Sequence, residues 1–416
     1  MRLHEVGSKW CNIVFLAWFV FSGALLAQTV AKPAVRTYSF INYSENYIRH
    51  SKDSSLTLSF YNKIDELRSG KRNRVVVAHY GGSHIQAGNW GEKFISNCHA
   101  MGNFEGGGLW VFPYKIAKTN SPHFFVSYTN GKWKRFRCAT YKEMCVNLGM
   151  AGIAAVTNDS SNTFGVKLTK NKHHEKFNSI KVYHNFNESF DFVLANNTSI
   201  CSRTDSMDKG FTKFVFDDFI DSVNFILWRK DTIRKDFMLY GFSLENSKPG
   251  FYYASFGVNG ASSDSYLKCN LFSDQLSTIK PDLVIFSLGV NDTQGKDFTK
   301  EDYIENYDSL IGAVRKVSPD CAILLTTTSD NYIRRKTANK RPIKAQDAMF
   351  ELMEKHQASV WDLYAIMGGY KSIYKWYRVG LASKDKVHFS PKGYQILGQM
   401  MFDAVDKSYR VNSKIK

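Results

Sequence analysis

Four short segments of this chain carry residue types that together suffice for ester hydrolysis. Gly81-Gly82-Ser83-His84 places a hydroxyl directly after two glycines, and Gly257-Val258-Asn259-Gly260-Ala261-Ser262 is a second Gly-rich turn. Gly289-Val290-Asn291-Asp292 follows an apolar run, and Asp385-Lys386-Val387-His388-Phe389-Ser390-Pro391 lies near the C-terminus. Covalent ester hydrolysis needs a nucleophile, a base for its proton, a group that orients the base, and donors aimed at the developing oxyanion. Ser83 can attack, His388 can act as general base and then general acid, and Asp385, three residues earlier, can hold the imidazole. The backbone N–H groups of Ser83 and Gly260 and the side-chain amide of Asn291 can bind the oxyanion.

Taken singly, each of these residues has a plainer reading. Ser83 after two glycines fits a helix N-cap, His388 a loop histidine, Asn291 a turn residue and Gly260 a backbone hinge. Asp292 and Asp264 also lie near loop ends and compete with Asp385 for the orienting role. His84 and Gln86 read as helix-start or packing residues, and His79 as a satisfied core histidine. His173 and His174 read as an exposed pair. No metal or other cofactor is expected, and no CxxC spacing suggests a structural zinc site.

Such loops need strands to hold them. Arg74–Tyr80, Tyr252–Phe256, Leu283–Ser287, Ala322–Thr327 and Val360–Leu363 read as short buried strands. Helical stretches at about Trp90–Met101, Ser263–Leu276, Lys300–Val317, Arg341–His356 and Lys392–Asp406 alternate with them. That alternation predicts a parallel sheet covered on both faces, because parallel pairing needs crossovers. Ligands of such sheets bind beyond the carboxyl ends of the strands, where the four segments fall. Between about Tyr114 and Ser247 the texture changes to short aromatic or β-branched runs separated by Asn, Asp, Ser and Gly, which is all-β spacing. A β-sandwich inserted into the α/β domain accounts for it.

The chain has 416 residues, enough for two or three domains at about 150 residues each. With 44% hydrophobic and 22% charged residues it is neither disordered nor collagen-like. Lys and Arg total 55 against 38 acidic residues, a net charge of +17 that suits an anionic partner. Arg2 and Lys9 precede an apolar run from Cys11 to Ala27, followed by Gln28 and a polar stretch, the order of a signal peptide. An uncleaved anchor is the alternative, with the run at the lower limit for a span; no later segment is suited to span. Cleavage near Ala27 removes two bases and one acid and leaves +16. Export then disfavours a nucleic-acid partner. Cys98, Cys138, Cys145, Cys201, Cys269 and Cys321 remain, with Cys138 and Cys145 the most plausible local pair.

The four segments in this order resemble the blocks of the SGNH/GDSL hydrolase family, with Ser83, Gly260, Asn291 and His388 at the namesake positions and Asp385 in the DxxH element. The resemblance covers roughly residues 70–115 and 250–410. One departure is Gly82, where the family usually has Asp. The inserted β-region, the Gly106–Tyr114 segment and the Gly-Val-Asn-Gly-Ala block are similar to those of bacterial peptidoglycan O-acetylesterases with an inserted carbohydrate-binding-type module. The resemblance implies a flavodoxin-like three-layer α/β/α sheet and removal of acetyl groups from the C6 hydroxyl of N-acetylmuramic acid. O-acetyl transfer, deacetylation of another polysaccharide, or a decayed site on a wall-binding protein are the alternatives.

The expected organisation is a signal peptide at 1–27, a lead-in at 28–70, a split catalytic domain at 71–114 and 248–410, a carbohydrate-binding-module-like sandwich at 115–247, and a tail at 411–416. The basic run from Arg334 to Lys344 reads as a solvated loop, with contact to an anionic polymer as the alternative. Trp110, Tyr114 and Trp133 read as core residues before sugar-stacking ones. The expected setting is periplasmic or secreted, with an O-acetylated glycan as partner.

Overall fold

The strand Arg74–Gly81 is buried along seven of its eight residues because both of its faces are covered. Val76, Ala78 and Tyr80 point to one side, where the Tyr80 ring lies 4.8 to 5.6 Å from those of Phe256, Tyr266, Phe272 and Phe286. His79 points to the other side and packs edge-on against Trp90 at 5.7 Å. The computed structural model describes residues 37–140, 146–169, 176–195, 200–233 and 235–413.

Among the described residues, six parallel strands form the central sheet in the spatial order Gly106–Val111, Gly250–Gly257, Arg74–Gly81, Leu283–Ser287, Ala322–Thr326 and Ser359–Trp361. Five were expected. The sixth, Gly106–Val111, opens with three glycines, whose weak strand preference hides it in the sequence. Residues 48–68 contribute a strand and a helix to this framework. Ile48–His50 pairs antiparallel with Ser359–Trp361 at the sheet edge. Helix Ser55–Arg68 is tied to the last helix, Pro391–Asn412, by Tyr409 Oη donating to Asp65 at 2.7 Å. Helix Asn89–Ala100 joins the same layer through Asn97 and Gln399.

Helices Lys300–Val317 and Arg341–Lys355 form the other layer. Tyr303 and Tyr307 anchor it by donating to the Leu288 carbonyl at 3.0 and 3.2 Å. The expected helix over 263–276 is instead a 3-10 turn at Tyr266–Lys268 and a short helix at Phe272–Ser277. Backbone there is diverted outward: Leu271 N–H donates to Leu148 O, and Leu148 N–H donates to Asn270 Oδ1.

The β-region forms a sandwich. Strands Phe125–Thr129, Ser161–Leu168, Ser222–Arg229 and Phe190–Leu194 make one antiparallel sheet. The facing layer, with Phe237–Asn246, Phe177–His184, Phe211–Ile220 and Ile200–Ser206, continues the central sheet itself. The junction is Gly106–Val111, parallel to Gly250–Gly257 on one edge and antiparallel to Phe237–Asn246 on the other. Among the described residues this gives one thirteen-stranded sheet. Both edges of the junction strand are used, so neither is left open to stray pairing.

Phenylalanines fill the sandwich. Phe164, Phe192 and Phe225 of one sheet pack on Phe214, Phe237 and Phe242 of the other with centroids 5.3 to 6.5 Å apart. Trp110, Tyr114 and Trp133 are buried core residues. Cys98, Cys138, Cys269 and Cys321 are free buried thiols. Cys138, expected to pair with Cys145, is thus a free thiol, while Cys145, like His173, His174 and residues 1–36, lies outside the described residues. No helix among the described residues is long and apolar enough to cross a membrane.

Phe164 meets five aromatic rings at no exposure. Phe164→Ala is expected to lower the unfolding free energy by about 3–5 kcal/mol, read from urea titration. A loss below about 1 kcal/mol would mean that the sandwich core does not support the fold.

Candidate active site

Ser83 starts the short helix Ser83–Gln86 immediately after its strand ends, so its side chain stands at the carboxyl edge of the sheet. His388 arrives from the far end of the chain. Its loop is closed by Ser383 N–H to His388 O at 2.8 Å, and Ser390 N–H to Leu381 O at 2.9 Å. Ser390 then caps the last helix by accepting from Gly393 N–H at 3.2 Å, with Pro391 in the first turn. A start signal legible in the sequence thus fixes the loop that carries the histidine.

Ser83 Oγ and His388 Nε2 are 2.7 Å apart, and His388 Nδ1 and Asp385 Oδ2 are 2.8 Å apart. An ionised carboxylate only accepts, so Nδ1 carries the proton and Nε2 is left to accept from the serine hydroxyl. Asp385 Oδ1 also accepts from the N–H groups of Val387 and His388 at 2.9 and 3.0 Å. Burial works against ionisation of Asp385, yet these bonds and the His388 ring outweigh it and hold the carboxyl well below the usual range. Asp264 and Asp292 are placed elsewhere. Asp264 pairs with Lys268 and Ser262, and Asp292 accepts from Ser263 N–H and Oγ at 2.9 and 2.6 Å.

Gly260 has φ of +86°, a conformation that side chains strain to adopt. The Gly260 and Asn291 loops meet at Gly82. Asn291 Nδ2 donates to Ala261 O at 2.8 Å and carries a second amide hydrogen. A Cβ at Gly82 would lie 3.2 Å from that nitrogen and 3.3 Å from Ala261 O. Glycine at this position therefore gives the Asn291 amide and the Ala261 carbonyl room to close over the turn before Ser83.

Arg137 and Ala139 escaped the sequence reading, while Gln86 and His84, read as helix-start or packing residues, are packed into the site. Gln86 Oε1 accepts from Asn259 N–H at 2.7 Å while its amide donates to Asn120 O at 2.8 Å, so this buried side chain holds the Gly260 loop. Its position three residues beyond Ser83 gave no sign of that. Arg137 of the β-region donates to Asn259 O at 3.4 Å, and Ala139 lies against Gly260, making the sandwich one wall of the site. His84 is buried beside His388 with ring centroids 5.3 Å apart. Burial, and then the neighbouring His388, pushes its pKa down to about 3, so it stays neutral and adds no second cation there. His79 is a satisfied core histidine between Tyr253 and Ser287, at 2.8 and 2.7 Å. Among the described residues, no group of three or more His, Cys, Asp or Glu side chains is arranged to hold a metal ion.

The lowered Asp385 pKa has a stability consequence. Ionised Asp385 stabilises the fold fully above the ordinary carboxylate pKa, and this contribution is lost as pH falls from there through the depressed pKa of the folded state. The difference in unfolding free energy between wild type and Asp385→Asn is expected to narrow below about pH 4, measured by urea unfolding at neutral and acid pH. A difference that stays constant would show that the carboxylate is not stabilised by its partners.

Residues 240–396 match the GDSL-like Lipase/Acylhydrolase family. Among solved structures, one described as "Peptidoglycan O-acetylesterase in action" superposes with a TM-score of 0.68 at 18% identity, over 88% of this chain and 99% of that one. A GDSL-like lipase from Bacteroides thetaiotaomicron has 18% identity and a TM-score of 0.30, covering 38% of this chain and 76% of its own. A carbohydrate esterase of family 3 from Talaromyces cellulolyticus has 16% identity and a TM-score of 0.30, covering 39% and 73%. No curated protein matches the chain. The matched residues contain Gly260, Asn291, Asp385 and His388, and the fold adds Ser83 from outside them. The match over residues 240–396 to GDSL-like lipases and acylhydrolases supports a carboxylic ester hydrolase, and the fold as a whole is like that of a peptidoglycan O-acetylesterase.

Proposed function

We propose that the protein is an exported serine esterase that removes O-acetyl groups from a cell-wall glycan, with 6-O-acetyl-N-acetylmuramic acid of peptidoglycan as the substrate. The hydrogen-bonded series Ser83, His388 and Asp385 carries this reading. The fold likeness to a peptidoglycan O-acetylesterase supports the choice of glycan.

In this reading Ser83 Oγ attacks the acetyl carbonyl carbon as His388 Nε2 takes the hydroxyl proton. Negative charge gathers on the carbonyl oxygen, which the N–H groups of Ser83 and Gly260 and the Asn291 amide stabilise. The bond from the acetyl carbon to the sugar oxygen breaks, and His388 returns the proton to that oxygen, leaving an acetyl-enzyme. Water then attacks the acetyl carbon with His388 again as base, and acetate leaves with Ser83 regenerated. Asp385 remains ionised throughout, stabilising the imidazolium. His84 stays neutral behind it, so the imidazolium forms without a cationic neighbour.

Acetate release from purified O-acetylated peptidoglycan tests the proposal. Ser83→Ala is expected to lower kcat by at least about 10³-fold, and unchanged release would overturn the mechanism. Asn291→Ala is expected to lower kcat about 10²- to 10³-fold, and an effect confined to KM would remove Asn291 from the oxyanion site. Faster release from acetylated xylan than from peptidoglycan would replace the substrate while keeping the chemistry.

A further inference from the structure

The loop that carries Asp385 and His388 is fastened to a basic hairpin. Strands Tyr332–Ile333 and Thr337–Ala338 pair antiparallel, and the turn between them closes through Lys336 N–H to Ile333 O at 3.1 Å. Its two central residues, Arg334 and Arg335, have φ of 50° and 65°. Such left-handed turn positions favour Asn-Gly, and two arginines there add strain without adding any contact that the fold uses. Their side chains are exposed. Strain retained at exposed cationic residues points to what those cations meet.

Lys386 stands between this hairpin and the proposed triad. It too is left-handed, with φ of 56°. Its carbonyl accepts from Tyr332 N–H at 3.0 Å, and its ammonium donates to Arg335 O at 3.0 Å. The same ammonium lies 4.8 Å from the Tyr332 ring centroid and 5.6 Å from that of Tyr374. Tyr374 lies on helix Ser372–Arg378 and is 41% exposed, with Tyr370 beside the helix start at 39%. Buried Asp330 ties hairpin and helix together by accepting from Ile373 N–H at 2.9 Å. No acidic residue occurs in 331–344 or 363–384. Exposed tyrosine rings and unopposed cations therefore share one surface, continuous with the loop of His388.

We infer that Tyr374, Arg334, Arg335 and Lys386 form a subsite for a carboxylate-bearing glycan strand running past Ser83. A sugar ring stacks on Tyr374, and carboxylates on the neighbouring units meet the arginines at the hairpin tip. Charge complementarity selects this occupant over a neutral polysaccharide, which the cations would leave unrewarded. Occupancy also presses on the hairpin that holds the Lys386 backbone, so a bound strand braces the loop of Asp385 and His388. The inference rests on the esterase reading for its purpose, and its test reads binding instead of turnover.

The background is Ser83→Ala, which removes hydrolysis, and the probe is soluble peptidoglycan glycan strands with their stem peptides, titrated calorimetrically. Arg334→Asn together with Arg335→Gly removes both charges while supplying the residues the turn favours, so the hairpin is kept. This pair is expected to raise Kd about tenfold at low salt, with the difference closing at high salt as screening takes over. Tyr374→Ala is expected to raise Kd about tenfold at either salt. An unchanged Kd in both variants would overturn the subsite, as would neutral xylo-oligosaccharides that bind as tightly and lose as much affinity in the arginine pair. Should the wild type release no acetate while this binding pattern holds, the esterase reading fails and the subsite stands.

Discussion

The contact between Ser83 and His388 joins residues 305 positions apart, and much of the structure can be understood as the means of holding it at 2.7 Å. Ser83 is fixed by a strand buried on both faces, whose inward rings leave it no freedom to slide. His388 is fixed by a loop closed on its own backbone and by the last helix, which is packed against Asn89–Ala100 and Ser55–Arg68. Registry between the two ends is thus a property of the helical layer as well as the sheet. Of the N-terminal segment, strand Ile48–His50 extends the sheet and helix Ser55–Arg68 belongs to the helical layer, so both support the site.

Electrostatics at the contact are arranged by removing competing charge. Asp385 is held ionised by three hydrogen-bond donors of one loop, and the nearest other imidazole, His84, is kept neutral by burial. Asp292, the rival carboxylate, spends itself on Ser263 and so braces the Gly260 loop against the Asn291 turn. Burial raises the Asp292 pKa, while the Ser263 bonds offset part of that rise. One carboxylate faces the histidine and the other faces Ser263, so His388 and the Gly260 loop are held by separate groups.

The β-region shares its framework with the catalytic layer. One of its two sheets is the central sheet continued, and its residues Arg137 and Ala139 touch the Gly260 loop. Tilting of the sandwich relative to the site would require breaking main-chain hydrogen bonds along Gly106–Val111 and Phe237–Asn246.

The sequence by itself determined most of the parallel sheet and pointed to the residues that meet at its carboxyl edge. Ser83, Gly260, Asn291, Asp385 and His388 are legible because each follows a strand or precedes a helix with a local signal: paired glycines, Asn-Gly, Gly-Val-Asn, Asp three residues before His, Ser-Pro at a helix start. Strands buried on both faces announce themselves as apolar runs, and Leu283–Ser287 lies where periodicity puts it. Gly106–Val111 was hidden by its glycines, and the helix expected at 263–276 was broken by long-range backbone pairing with Leu148. Only the tertiary structure decided that Gln86 holds the Gly260 loop, that Gly82 makes room for the Asn291 amide, and that Lys386 joins the histidine loop to a hairpin. Those roles depend on partners far away in sequence. Local residue type sets what a side chain can do, and the packing of distant segments sets what it meets.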